Sequence, residues 1–111
     1  MSNLELSNDD ILARLVAIAV EHDADGLEIE YDDGYEEVCA IKGSFGVGIA
    51  RLDSSGEESR LLRDQLNAIK RKGIKVNIND ATFRLKVSTY YTFGEWAYRV
   101  KIQAEQKNKV Q

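Results

Sequence analysis

The stretch Thr82–Ile102, TFRLKVSTYYTFGEWAYRVKI, constrains the fold most, because its side chains alternate with a period of two over almost its whole length. Phe83, Leu85, Val87, Thr89 and Tyr91 alternate with Arg84, Lys86, Ser88, Tyr90 and Thr92, and Trp96, Tyr98, Val100 and Ile102 repeat the pattern beyond Phe93-Gly94. A helix would scatter these residues around its axis. Two strands joined by a tight turn collect them into one apolar and one cationic face. The run is therefore expected to be a long hairpin that carries a sheet, with helices packed on the apolar side.

The rest of the chain supplies the parts. Ser7 is placed to cap a first helix with Asp10 completing a capping-box variant, and Leu6 with Ile11 forms a hydrophobic staple. Ile11, Leu12, Leu15, Val16, Ile18, Ala19 and Val20 exceed a narrow stripe, so this helix is expected to be buried on more than one side, with room to cover a second subunit. Leu27–Tyr31 alternates as a strand with Glu28 and Glu30 outward, Asp32-Asp33-Gly34 turns, and Glu36–Lys42 returns. Gly43-Ser44 turns again into Phe45–Leu52, where Gly46 and Gly48 leave room for close packing. Ser55 and Glu58 fit a capping box for a second helix with Leu61, Leu62, Leu66 and Ile69 as its buried stripe. Lys70-Arg71-Lys72 suits its negative end before Gly73 stops it. Ile74–Ile78 is a short strand, followed by an Asn79-Asp80 turn. The order α-β-β-β-α-β-β-β gives an α+β fold, a mainly antiparallel sheet packed by two helices. A chain of 111 residues fits a single domain over 1–111, with ends fraying at about 1–6 and 104–111.

Composition excludes several classes. No apolar run approaches the roughly 18 residues needed for a membrane-spanning helix. Met1–Glu5 lacks a signal peptide's basic and apolar regions, and one cysteine cannot form an internal disulfide, so a cytoplasmic location is expected. The net charge of −4 conceals a division: twelve acidic residues and one basic up to Glu37, then seven acidic and fourteen basic. Such a split can signal an anionic partner for the basic half, but the expected account is pairing of neighbouring acidic and basic strands within one sheet.

Resident chemistry is sparse. The sole His22 and sole Cys39 are far apart and no carboxylate spacing matches a calcium loop, so no metal or other cofactor is expected. Cys39 reads as a small buried hydrophobe and His22 as a helix-end residue. Gly43–Gly48 lacks the Lys-Ser/Thr ending of a phosphate loop and leads into a strand. Arg84, Lys86, Arg99 and Lys101, with Lys75, form a basic face that can meet phosphates while Tyr90 offers stacking. Glu28 and Glu30 are available to neutralise that face, and an acidic chain of pI about 5.0 repels nucleic acid at long range, so nucleic acid is not the expected partner.

Leu85-Lys86-Val87-Ser88-Thr89-Tyr90-Tyr91-Thr92-Phe93-Gly94-Glu95, followed by Tyr98-Arg99-Val100, resembles the leucine-arginine-valine-serine-threonine to glycine-glutamate run of type II secretion and type IV pilus assembly ATPases. Ala24–Glu30 is similar to the alanine-serine-aspartate-isoleucine-histidine-isoleucine-glutamate strand of that family, and Ile41-Lys42-Gly43 sits where it has isoleucine-aspartate-glycine. The resemblance runs from about Asp9 to Gln103 and covers the PAS-like domain that precedes the catalytic core. Departures are specific: Lys86 and Ala40 stand where the family has arginines, Lys42 replaces an aspartate, and Asn79-Asp80-Ala81 replaces a longer loop. No Walker motif is present. The resemblance implies a non-enzymatic interaction or assembly module that binds a protein partner or itself, through its first helix or through Arg84, Lys86, Arg99 and Lys101 against Glu28 and Glu30. The alternative it leaves open is a PAS-like sensor of small ligands or nucleotides, with a pocket near Phe45, Gly46, Gly48 and Trp96.

Overall fold

Tight turns fix the strand registers. In the computed structural model, which describes residues 10–70, 72–92 and 94–105, Asp33 and Gly34 have φ of 52° and 87° between paired Asp32 and Tyr35. Asn79 and Asp80, with φ of 51° and 68°, do the same between Ile78 and Ala81. Two consecutive left-handed residues give the turn whose twist matches that of paired strands. Around them the chain forms α1 (Ile11–Glu21), β1 (Gly26–Asp32), β2 (Tyr35–Lys42), β3 (Phe45–Asp53), α2 (Glu57–Ile69), β4 (Ile74–Ile78), β5 (Ala81–Thr92) and β6 (Glu95–Ala104). This is the expected element order.

The strands form one open antiparallel sheet in the order β3-β2-β1-β6-β5-β4. β1 pairs with β6 along Gly26–Lys101 to Ile29–Tyr98, and this seam joins two meanders, each preceded by a helix. Both helices lie on one face. Leu12, Val16 and Ala19 of α1 and Leu62, Leu66 and Ile69 of α2 are fully buried against Leu27, Ile29, Val38, Leu85 and Val100. Leu61, expected in the buried stripe of α2, is exposed, because it lies one residue off the i, i+4, i+7 line of Leu62, Leu66 and Ile69.

Both helix starts differ from expectation. Ser7 and Leu6 lie outside the described residues; Asp10 is the N-cap of α1 and makes no side-chain cap bond there. An orphan amide of the first turn is satisfied from afar, Leu12 N donating to Gln65 Oε1 of α2 at 3.0 Å. In α2 the N-cap is Gly56, not Ser55. Asp53 has captured Ser55, whose amide and hydroxyl donate to Asp53 Oδ1 at 3.0 and 2.8 Å, closing an Asx turn. These bonds lower the Asp53 pKa. Buried Ser59 donates to Asp53 O at 2.7 Å and fastens the helix to the end of β3.

At the other end of α2, the helix stops at Ile69 and Gly73 takes φ 74°. Lys70 and Lys72 therefore follow the last helical turn rather than sitting in it. Of the end expected to fray, 104–111, the first two residues are held to β5. Ala104 pairs with Phe83, and Glu105 N donates to Thr82 O at 2.9 Å. Residues 1–6 and 106–111 lie outside the described residues.

The apolar face of the β5–β6 hairpin outruns the helices. Leu85, Val87, Val100 and Ile102 are buried, whereas Tyr91 and Trp96, directly paired on the same face near the turn, are 62% and 63% exposed. Their rings meet edge to face at 5.1 Å. None of the described helices is long and apolar enough to cross a membrane.

Candidate functional site

The cross-strand register places Arg84, Lys86, Arg99, Lys101, Glu28 and Glu30 together on the sheet face opposite the helices, since their strand neighbours Leu85, Val87, Val100, Leu27 and Ile29 are core residues. Much of the charge on this face is compensated internally. Arg99 Nη2 and Nε donate to Glu28 Oε2 at 2.6 and 3.1 Å, linking β6 to β1. That hydrogen bond, with the carboxylate's charge, raises the Arg99 pKa. The guanidinium also lies 4.9 Å over the ring of Tyr90. Tyr90 in turn donates to Glu30 Oε2 at 2.7 Å, and desolvation first, then this bond, pushes its phenol well above the ordinary tyrosine range. Further out, Arg51 bonds Glu37 at 2.7 Å, while Glu105 holds Lys75 at 2.9 Å and Arg84 at 3.7 Å.

Lys86 and Lys101 are different. They are direct cross-strand partners, and among the described residues neither has a carboxylate partner. Like charges opposite one another on a sheet are destabilising. The repulsion is concentrated further by the chain that enters β4. The β4–β5 register ends at Ile74–Leu85, and Gly73 runs so close to β5 that an added Cβ would stand 3.0 Å from Leu85 O. Lys70 and Lys72 thereby join Lys86, Arg99 and Lys101 around an open groove of 470 Å³ that also takes in Ser88. Among the described residues no carboxylate lines it.

The sequence pointed to Lys86, Arg99 and Lys101 through their alternation, but Arg84 is drawn off by Glu105 and Glu30 by Tyr90. Lys70 and Lys72 were read only as compensation for a helix dipole. Their contribution depends on the β4–β5 register, which periodicity alone does not supply.

Phe45, Gly46, Gly48 and Trp96 do not converge. The first three lie on edge strand β3, and Trp96 is on β6 with two strands between them. Alternation matched the residue types but not the strand order. A cleft of 350 Å³ opens instead at the Gly26 end of the sheet, where Leu27, Ile41, Val100 and Ile102 line it together with Asp25, Arg99, Lys101 and Gln103. At Gly46 the expected close packing is present, an added Cβ falling 3.0 Å from Ile41 Cδ1, whereas Gly48 has open space.

Cys39 is also corrected. It pairs with Glu28 on the helix-free face and is half-buried, because the core takes its neighbours Val38 and Ala40. Desolvation raises its pKa, reinforced by Glu37, Glu28 and Glu30. Fewer thiolates at neutral pH mean slower alkylation. Iodoacetamide is expected to modify Cys39 more slowly than a free cysteine at pH 7, at a rate still climbing where an exposed thiol has levelled off. A rate equal to that of free cysteine across the titration would refute this. His22 is the C-cap of α1, its amide donating to Ile18 O and Ala19 O. Among the described residues no cluster of His, Cys, Asp and Glu is suited to a metal ion.

No protein-family model matches the chain, and no curated protein matches it either.

Proposed function

We propose that this chain is a non-enzymatic interaction module that docks an acidic segment of a partner protein in the groove between Lys70, Lys72, Lys86 and Lys101. The observation that carries the reading is the uncompensated Lys86–Lys101 pair, left in an acidic protein that supplies carboxylates to Arg84, Arg99, Lys75 and Arg51. A carboxylate-rich segment lying along the groove relieves that repulsion and gains several charge-assisted hydrogen bonds at once. In this reading the chain is a PAS-like relative of the secretion-ATPase domain and serves an assembly role.

The test is titration of a fluorescein-labelled polyglutamate peptide, followed by anisotropy. Wild type is expected to bind with an affinity that falls steeply as salt rises, since screening shortens from about 10 Å at 0.1 M to about 3 Å at 1 M ionic strength. Lys86→Glu with Lys101→Glu is expected to weaken binding at least about tenfold, the loss of roughly 1.4 kcal/mol. Equal binding by the double variant, or no binding by wild type at low salt, refutes the docking role. Binding of pyrophosphate or ATP, but not of the peptide, would replace it with the small-ligand sensor.

A further inference from the structure

The edge strand β3 is the second conspicuous surface, and its chemistry is the opposite of the groove's. From Phe45 to Ala50 the strand reads Phe-Gly-Val-Gly-Ile-Ala without a charge or a proline. Among the described residues it stands at the end of the sheet, paired on one side only, by β2. Phe45 is 78% exposed and Val47 is 52% exposed. Edge strands present unpaired backbone groups to any other chain, and proteins usually blunt them with charge, proline, β-bulges or covering segments. β3 carries one bulge, between Val38 and Cys39, where Ile49 is its extra residue; Phe45–Gly48 pair with β2 in regular register, and the bulge falls at the end of the stretch a second strand would use.

The order of side-chain sizes selects the occupant. Phe-Gly-Val-Gly-Ile is large, none, medium, none, large, and reads the same in both directions. A two-fold contact requires a surface complementary to itself. When two copies of β3 pair antiparallel about Val47, Phe45 stands opposite Ile49 of the second copy, Gly46 opposite its Gly48, and Val47 opposite Val47. The three apolar residues share the helix-side face, as the core packing of Ile49 and the Val47–Ala40 register require. Arg51 falls opposite Gly43, so no like charges meet along the contact. A strand of unrelated sequence would find the same backbone groups but not this size match.

We infer that the protein forms a two-fold dimer through antiparallel pairing of β3 with β3 of a second copy, centred on Val47. The dimer extends the sheet across the two-fold and covers Phe45 and Val47. It is independent of the basic groove, which lies on β5 and β6 at the other side of the sheet.

Sedimentation velocity on the full chain tests it. Wild type is expected to sediment at twice the chain mass of 12.5 kDa. Val47→Lys places two lysines against each other on the axis and is expected to give the 12.5 kDa monomer, with an unchanged far-ultraviolet circular dichroism spectrum because the site is half exposed. Val47→Glu is expected to do the same. Mixing the two in equal amounts sets Lys against Glu and is expected to restore the dimer, a rescue that only a contact centred on residue 47 produces. Lys86→Glu with Lys101→Glu is expected to leave the dimer intact. A monomeric wild type at every concentration, a dimeric Val47→Lys, or failure of the mixture to reassociate overturns the proposal.

Discussion

Replacing Arg63 by methionine is expected to cost about 3 kcal/mol of stability, the lower end of what breaking a buried ion pair costs. Arg63 on α2 bonds Glu36 of β2 at 2.8 Å, and the Glu36 side chain is only 9% exposed on the helix-covered side of the sheet. The loss comes less from the missing attraction than from a carboxylate stranded among core residues. Arg63 itself is 36% exposed, so water partly relieves the defect, which argues for the lower figure. For a domain of about this size the melting temperature falls by roughly 15 °C. Glu36→Leu combined with Arg63→Met removes the stranded charge and is expected to recover most of the stability. Thermal and urea denaturation of both variants measure this. A single variant within about 1 kcal/mol of wild type would show that solvent reaches Glu36 after all.

Gly26→Ala is expected to be nearly as damaging, at about 2–3 kcal/mol, within the range for overpacking. An added Cβ would lie 2.9 Å from Val100 O, on the neighbouring backbone rather than on a side chain that can swing away. Gly26 opens β1 where it pairs with β6, so the two meanders must part locally to accept a methyl group. Gly48→Ala provides the control. It sits in extended strand with nothing within 4 Å of an added Cβ. It is expected to change stability by less than about 1 kcal/mol, toward greater stability if the smaller unfolded-state entropy decides. Equal urea midpoints for the two alanine variants would contradict the close approach at the seam.

Much of this architecture is written in local patterns. The alternation from Phe83 to Ile102 reports a strand pair because each core residue is flanked by residues the sheet turns outward. Asp33-Gly34 and Asn79-Asp80 report tight turns because these residue types tolerate positive φ. What local patterns miss is competition and distance. Ser55 has the right spacing for a cap, but its amide and hydroxyl donate to Asp53 Oδ1, and the resulting turn leaves Gly56, one residue on, as the N-cap. The start of α1 is satisfied by Gln65, 53 residues away. Periodicity assigns Tyr91 and Trp96 to the apolar face correctly, yet says nothing of where the covering helices stop. Cys39 was legible and misread, since Val38 and Ala40 on either side already occupy the inward direction. The groove is half visible: the alternation supplies Lys86 and Lys101, and only the close approach of Gly73 to β5 brings Lys70 and Lys72 beside them.

The seam between β1 and β6 also sets a sequence of events in time. Every other strand pair joins neighbours along the chain, linked by turns of a few residues, and such contacts close quickly. Glu28 and Arg99 are 71 residues apart, and no part of their contact exists until β6 has been made. Until then β1 offers an open flank, beside a helix with most of its surface apolar. The two meanders are therefore local products, whereas the continuous sheet, and with it the compensation of Arg99 by Glu28, is a late and non-local one.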